Sequence, residues 1–178
     1  MLPRGVVQGK ADPKHQKFPE RLRRARKAAS MNGVALSLSV GLSRNTCSQL
    51  EARDRIPRVD TVEKLATALR VSPCWLAYGI EQPCEAGDGS LSAGLPARLA
   101  HLRQEKGLSR RELGRLSDTS DNFVQMTETG GSVPSIAKVE TLAKALQVSA
   151  CWLAYGVGER DLPPRRRSRT AAQSPAPA

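Results

Sequence analysis

Residues 72–79 read SPCWLAYG and residues 149–156 read SACWLAYG, nearly the same eight residues displaced by 77 positions. The same displacement runs backwards from this stretch without a gap. It pairs Pro19 with Pro96, Arg21 with Arg98, Leu22 with Leu99, Arg26 with Arg103, Leu36 with Leu113, Asn45 with Asn122, Glu51 with Glu128, Pro57 with Pro134 and Leu65-Ala66 with Leu142-Ala143. About a third of the paired positions are identical, so residues 18–79 and 95–156 are two copies of one unit. Residues 80–94, with their Gly, Ser and Glu, predict a flexible linker. Residues 1–17 predict a basic disordered arm, and residues 157–178, rich in Pro, Ala and Arg, a basic disordered tail.

Within each unit the apolar residues recur at helical spacing, clearest in Val62, Leu65, Ala66 and Leu69 and in their partners Val139, Leu142, Ala143 and Leu146. No alternating strand pattern occurs. Five short helices per unit are predicted, near 19–30, 34–40, 44–52, 60–70 and 73–78, with 77 added for the second copy. Ser109 with Glu112 forms a capping box, Ser43 and Ser120 cap the third helices, and Ser72-Pro73 is a cap followed by proline at the first helical position. The predicted fold class is all-α: two tandem five-helix domains with disordered termini.

The chain carries a formal charge of +11 and a pI near 10.2, which directs attention to a nucleic acid or another anionic partner. The excess is uneven. Residues 1–79 hold 15 Lys and Arg against 6 Asp and Glu, whereas residues 80–156 hold 8 against 9. No run approaches the roughly 20 apolar residues that cross a bilayer, and the start has no apolar signal-peptide core, so a cytoplasmic, nucleoid-associated protein without a membrane partner is expected. Cys47, Cys74, Cys84 and Cys151 have neither CxxC pairing nor histidines at ligand spacing; buried, reduced thiols are expected and a metal is not. His15 and His101 have no carboxylate or cysteine cluster beside them in sequence. No nucleophile-base pair, paired carboxylates or phosphate loop stands out, so neither an enzyme nor a cofactor is expected.

Residues 43–58, SRNTCSQLEARDRIPR, concentrate the chemistry expected of a helix lying in a DNA groove. Read as a helix, the stretch exposes Arg44, Asn45, Ser48 and Gln49 and is followed by Arg53, Arg55 and Arg58. The second unit carries Leu102-Arg103, Gly107-Leu108-Ser109, Leu113, Glu128-x-Gly130, Pro134, Leu142-Ala143, Leu146-x-Val148-Ser149 and Trp152-Leu153; the first matches over its second half and in Gly41-Leu42-Ser43. In these residues the chain resembles the phage-repressor and Cro type of helix-turn-helix regulators, called XRE-like and lambda-repressor-like. The resemblance implies bacterial or phage origin, double-stranded DNA as the partner, and a third helix in the major groove.

By that resemblance Arg44, Asn45, Ser48 and Gln49 face bases, since Arg suits guanine and Asn or Gln adenine. Ser43, Thr46, Arg53, Arg55 and Arg58 would contact phosphates. Cys47 and Leu50 fall where the family turns apolar residues inward, and Arg26–Glu51 and Arg103–Glu128 fall where it keeps an ion pair between the first and third helices. Trp75, Tyr78, Trp152 and Tyr155 suit core packing. The second unit puts Asp121, Asn122, Gln125 and Met126 where the first has Arg44, Asn45, Ser48 and Gln49, and an outward Phe123 in place of Thr46. Its face, with Arg110, Arg111, Asn122, Phe123, Gln125 and Met126, suits DNA or a partner, including a second copy in a homodimer. Gly33 stands where the family places a phosphate-contacting glutamine, and the run Arg21, Arg23, Arg24, Arg26 and Lys27 could replace that contact. The expected function is a sequence-specific transcriptional regulator of repressor type read through the first unit. The alternative is a protein-interaction module, antitoxin-like or anti-repressor, that keeps the fold without reading DNA.

Overall fold

The computed structural model describes residues 13–81 and 90–161. Ten α-helices and no strand occur among them. The first unit holds α1 (Phe18–Ala28), α2 (Gly33–Ser39), α3 (Thr46–Glu51), α4 (Val59–Ala68) and α5 (Pro73–Tyr78). The second repeats them as α6 (Leu95–Glu105), α7 (Arg110–Leu116), α8 (Asp121–Glu128), α9 (Ile136–Leu146) and α10 (Ala150–Tyr155).

Each helix buries the stripe its periodicity marks. Phe18, Leu22 and Ala25 line the inner face of α1, as Leu95, Leu99 and Leu102 do on α6; Val62, Leu65, Ala66 and Leu69 meet them from α4, and Val139, Leu142, Ala143 and Leu146 from α9. Burial of a large aliphatic side chain stabilises by roughly 1.5–3 kcal/mol, so these stripes carry the fold. The short α5 and α10 are buried nearly all round and stop at Gly79 (φ 69°) and Gly156 (φ 70°), whose left-handed conformation glycine adopts without strain. Arg21 donates from Nε to the Leu76 carbonyl at 2.8 Å and from Nη2 to that of Ala77, closing the end of α5. Arg98 treats Leu153 and Ala154 in the same way at the end of α10. Burial lowers the pKa of both guanidiniums, but they remain cations at a helix C-terminus, where the dipole favours them.

The two units form one body about a pseudo-two-fold axis, and the principal contacts across it come in pairs related by 77 residues. Val59 N–H donates to the Pro134 carbonyl and Ile136 N–H to that of Pro57, at 3.1 and 3.0 Å, around an antiparallel bridge between Arg58 and Ser135. The Tyr78 hydroxyl donates to the Ile136 carbonyl and the Tyr155 hydroxyl to the Val59 carbonyl, at 3.2 and 3.3 Å. Cys74 and Cys151, equivalent residues with Cα atoms 5.2 Å apart, form a disulfide near the axis.

This arrangement corrects several expectations. The cysteine pair is a disulfide instead of two reduced thiols, because the axis brings equivalent residues of α5 and α10 together; Cys47 alone is a buried free thiol among the described residues. The arm is not free along its whole length. Lys14–Lys17 form a 3-10 turn whose Lys14 and His15 amides donate to Glu140 of α9, and His15 Nδ1 lies 2.7 Å from the same carboxylate, so His15 does have a carboxylate neighbour. The expected linker ends in the equivalent 3-10 turn, Leu91–Gly94, with the Leu91 and Ser92 amides donating to Glu63 of α4. Each unit's entry turn is thus held by the other unit. The start of the expected tail also packs back, with Ser149 N–H donating to the Arg160 carbonyl and Arg160 paired with Glu105 at 2.8 Å. Residues 1–12, 82–89 (with Cys84) and 162–178 (with Arg165, Arg166, Arg167 and Arg169) lie outside the described residues.

Candidate nucleic-acid interface

α2 and α3 form a short angled pair, and α7 and α8 repeat it, but the turns differ. In the second unit Gly114 lets the chain pass so closely that a Cβ there would lie 2.9 Å from the Thr119 carbonyl oxygen and 3.1 Å from the Asp121 nitrogen. α8 therefore begins at Asp121, with Ser120 as cap accepting from Phe123 N–H. The first unit has Ser37 at the equivalent position. Its buried hydroxyl donates to the Gly33 carbonyl at 2.9 Å and accepts from Cys47 N–H at 3.1 Å. Ser37 supplies the cap from inside, and α3 begins only at Thr46, leaving Arg44 and Asn45 in a turn before it. The expected Ser43 cap is absent: the Ser43 hydroxyl instead meets Thr46 Oγ1 at 2.8 Å.

Arg44, Asn45, Ser48 and Gln49 are all exposed and lie on the turn and outer face of α3. Thr46, expected outward, is buried at 7% exposure and meets Ser43, so its methyl and hydroxyl belong to the helix base. Cys47 and Leu50 are in the core, and burial raises the Cys47 thiol pKa. Arg53, Arg55 and Arg58 are exposed in the loop from α3 to α4, with Arg53 paired to exposed Glu20 at 2.8 Å. Of the basic run on α1, Arg24 and Lys27 are exposed, while Arg21 is spent on α5 and Arg23 leans on Glu51 at 3.3 Å. Gly33 is the first residue of α2, behind an Asn32 cap whose side chain accepts from Ala35 N–H.

The Arg26–Glu51 and Arg103–Glu128 braces are present, with Nε–Oε1 distances of 2.6 and 2.5 Å and further donation to the Met31 and Leu108 carbonyls. Burial pushes the Glu51 and Glu128 carboxyls upward, but hydrogen bonds and charge from Arg26 and Arg23, and from Arg103 and Arg110, outweigh it and hold both below the ordinary range. Arg110, expected on a DNA or partner face, is thus bound at 2.8 Å to Glu128. Phe123 is half-buried against the core and not an outward apolar spot, whereas Asp121, Asn122, Gln125, Met126, Arg111 and Arg115 are exposed.

Residues 22–76 match the family model described as helix-turn-helix, and residues 95–154 match that described as helix-turn-helix domain; together they span more than half of the chain. The chain is a tandem XRE-type helix-turn-helix protein. No curated protein and no solved structure gives a significant match to this helix-turn-helix protein. None of its described helices is long and apolar enough to cross a membrane. Sequence reading missed the internal Ser37 cap and the second arginine on each braced glutamate. The replacement of Ser37 by Gly114 at equivalent positions of α2 and α7 was the available signal.

Proposed function

We propose that this helix-turn-helix protein is a sequence-specific DNA-binding transcriptional regulator that reads the major groove with α3 and represses by covering the DNA it binds. The observation that carries the reading is the exposed set Arg44, Asn45, Ser48 and Gln49 on one rigidly braced helix, beside exposed Arg55 and Arg58. Arg44 is suited to the O6 and N7 acceptors of guanine, and Asn45 or Gln49 to the N6 and N7 edge of adenine. The loop arginines hold phosphates and fix the register of the helix. The protein-partner alternative loses part of its support, since Phe123 packs inward.

The test is selection of bound duplexes from a random pool, followed by affinity measurements on the selected site with Arg44→Ala and Asn45→Ala proteins. Each contact is worth roughly 1–3 kcal/mol of discrimination, so losses of fivefold or more with a changed base preference are expected. Unchanged affinity and preference would refute the assignment of α3.

A further inference from the structure

Resting on that reading, we infer that one chain acts as a complete internal dimer, with α8 contacting a second, dissimilar half-site of the same duplex. The argument starts from the axis. The backbone pair at Pro57 and Pro134, the two tyrosine hydroxyls, the disulfide and the two glutamate-held entry turns each relate one unit to the other by the same 77-residue correspondence. Even the clefts match: one is lined by Phe18, Pro19, Ile56 and Ile136, the other by Leu95, Pro96, Val133 and Val59.

A two-fold rotation leaves height along its axis unchanged. Whatever level α3 occupies, α8 occupies too, on the opposite side of the axis, and the internal dimer sets both helices against one duplex. A duplex whose local dyad coincides with this axis presents one major-groove segment to each of them. The loops that leave α3 and α8 meet at the axis through Arg58 and Ser135, between those two segments.

The second face is chemically equipped for its half-site, though differently from the first. Asn122 and Gln125 project from α8 with the amides that suit adenine, and Asp121 can accept from the cytosine amino group. Arg111 and Arg115 of α7 line a shallow groove with Ser120 and Asp121, adding two positive charges to the groove that holds the carboxylate. The first unit has exposed Val34 and Leu38 at the positions of Arg111 and Arg115. The two units therefore divide the work unequally, and the preferred site is bipartite and non-palindromic.

Duplex selection with the full chain tests this, alongside Asn122→Ala/Gln125→Ala and Arg44→Ala/Asn45→Ala variants and the mass of the complex. The expected consensus has two unlike blocks whose centres lie about one helical turn apart, roughly 10–10.5 base pairs, with one chain per duplex. Asn122→Ala/Gln125→Ala should erase preference in one block and weaken binding about tenfold, and Arg44→Ala/Asn45→Ala should erase the other block. An Arg111→Ala/Arg115→Ala protein should bind with a salt slope reduced by about 2. A single block, with both second-unit variants binding like the parent, would overturn the inference and leave the α3 reading standing. So would a palindrome occupied by two chains. No enrichment by the parent would refute the α3 reading itself, and this inference with it.

Discussion

Breaking the Cys74–Cys151 bond gives the sharpest test of the internal dimer. The bond spans 77 positions of sequence, and the loss of chain entropy that such a cross-link imposes on the unfolded state is worth about 4.5 kcal/mol at 25 °C. Both sulfurs are fully buried, so each Cys→Ala change also removes about 1 kcal/mol of packing. Cys74→Ala and Cys151→Ala should each cost about 5.5 kcal/mol, and the double variant about 6.5, because the bond can be lost only once. The double-mutant cycle thus carries a coupling of about 4.5 kcal/mol. Guanidinium titration followed by the fluorescence of Trp75 and Trp152, which flank the bond, measures all four proteins under non-reducing conditions. Added reductant should lower the parent by about 4.5 kcal/mol, leaving it about 1 kcal/mol more stable than either single variant. Single changes that cost about 1 kcal/mol each and simply add would show that the two thiols are not linked, and the contact at the axis would have to be redrawn.

Two further outcomes follow from the same contacts. Glu51, Glu128 and Glu140 all lie below the ordinary glutamate value of 4.5, because hydrogen bonds and neighbouring charge, from His15 and the Lys14 and His15 amides in the case of Glu140, outweigh burial. A depressed carboxylate contributes stability that is fully present above its unfolded value and is lost as pH falls through the folded one. Thermal melts should therefore hold steady above about pH 5 and decline below about 4.5, with a shallower decline for Glu140→Gln; a melting temperature that stays level down to pH 3 would contradict this. Tyr78→Phe and Tyr155→Phe each remove one buried hydroxyl-to-carbonyl bond across the axis, so denaturant unfolding should register about 1–2 kcal/mol for each, and closely similar values for the two. A large difference between them would mean that the two halves are not held equivalently.

Much of this molecule could be read from its sequence because the signals are local. Helical spacing marked the stripes on α4 and α9, the 77-residue correspondence marked the second copy, and the resemblance to phage-repressor regulators implied the Arg26–Glu51 and Arg103–Glu128 pairs. The first two need only neighbours one or two turns away, or a comparison of the chain with itself. The start of α3 was less accessible, because Ser37 decides it from another helix by filling the space that Gly114 leaves open in the second unit. How the copies face each other was beyond sequence reading altogether. A cysteine that meets its own equivalent looks, in sequence, the same as one that meets nothing. Likewise Glu140 gives no local sign that it receives the amides of Lys14 and His15. Sequence alone determined two helical units and one arginine-rich exposed stretch. Tertiary structure decided that they form a single symmetric body, because only packing brings residues 77 positions apart onto a common axis.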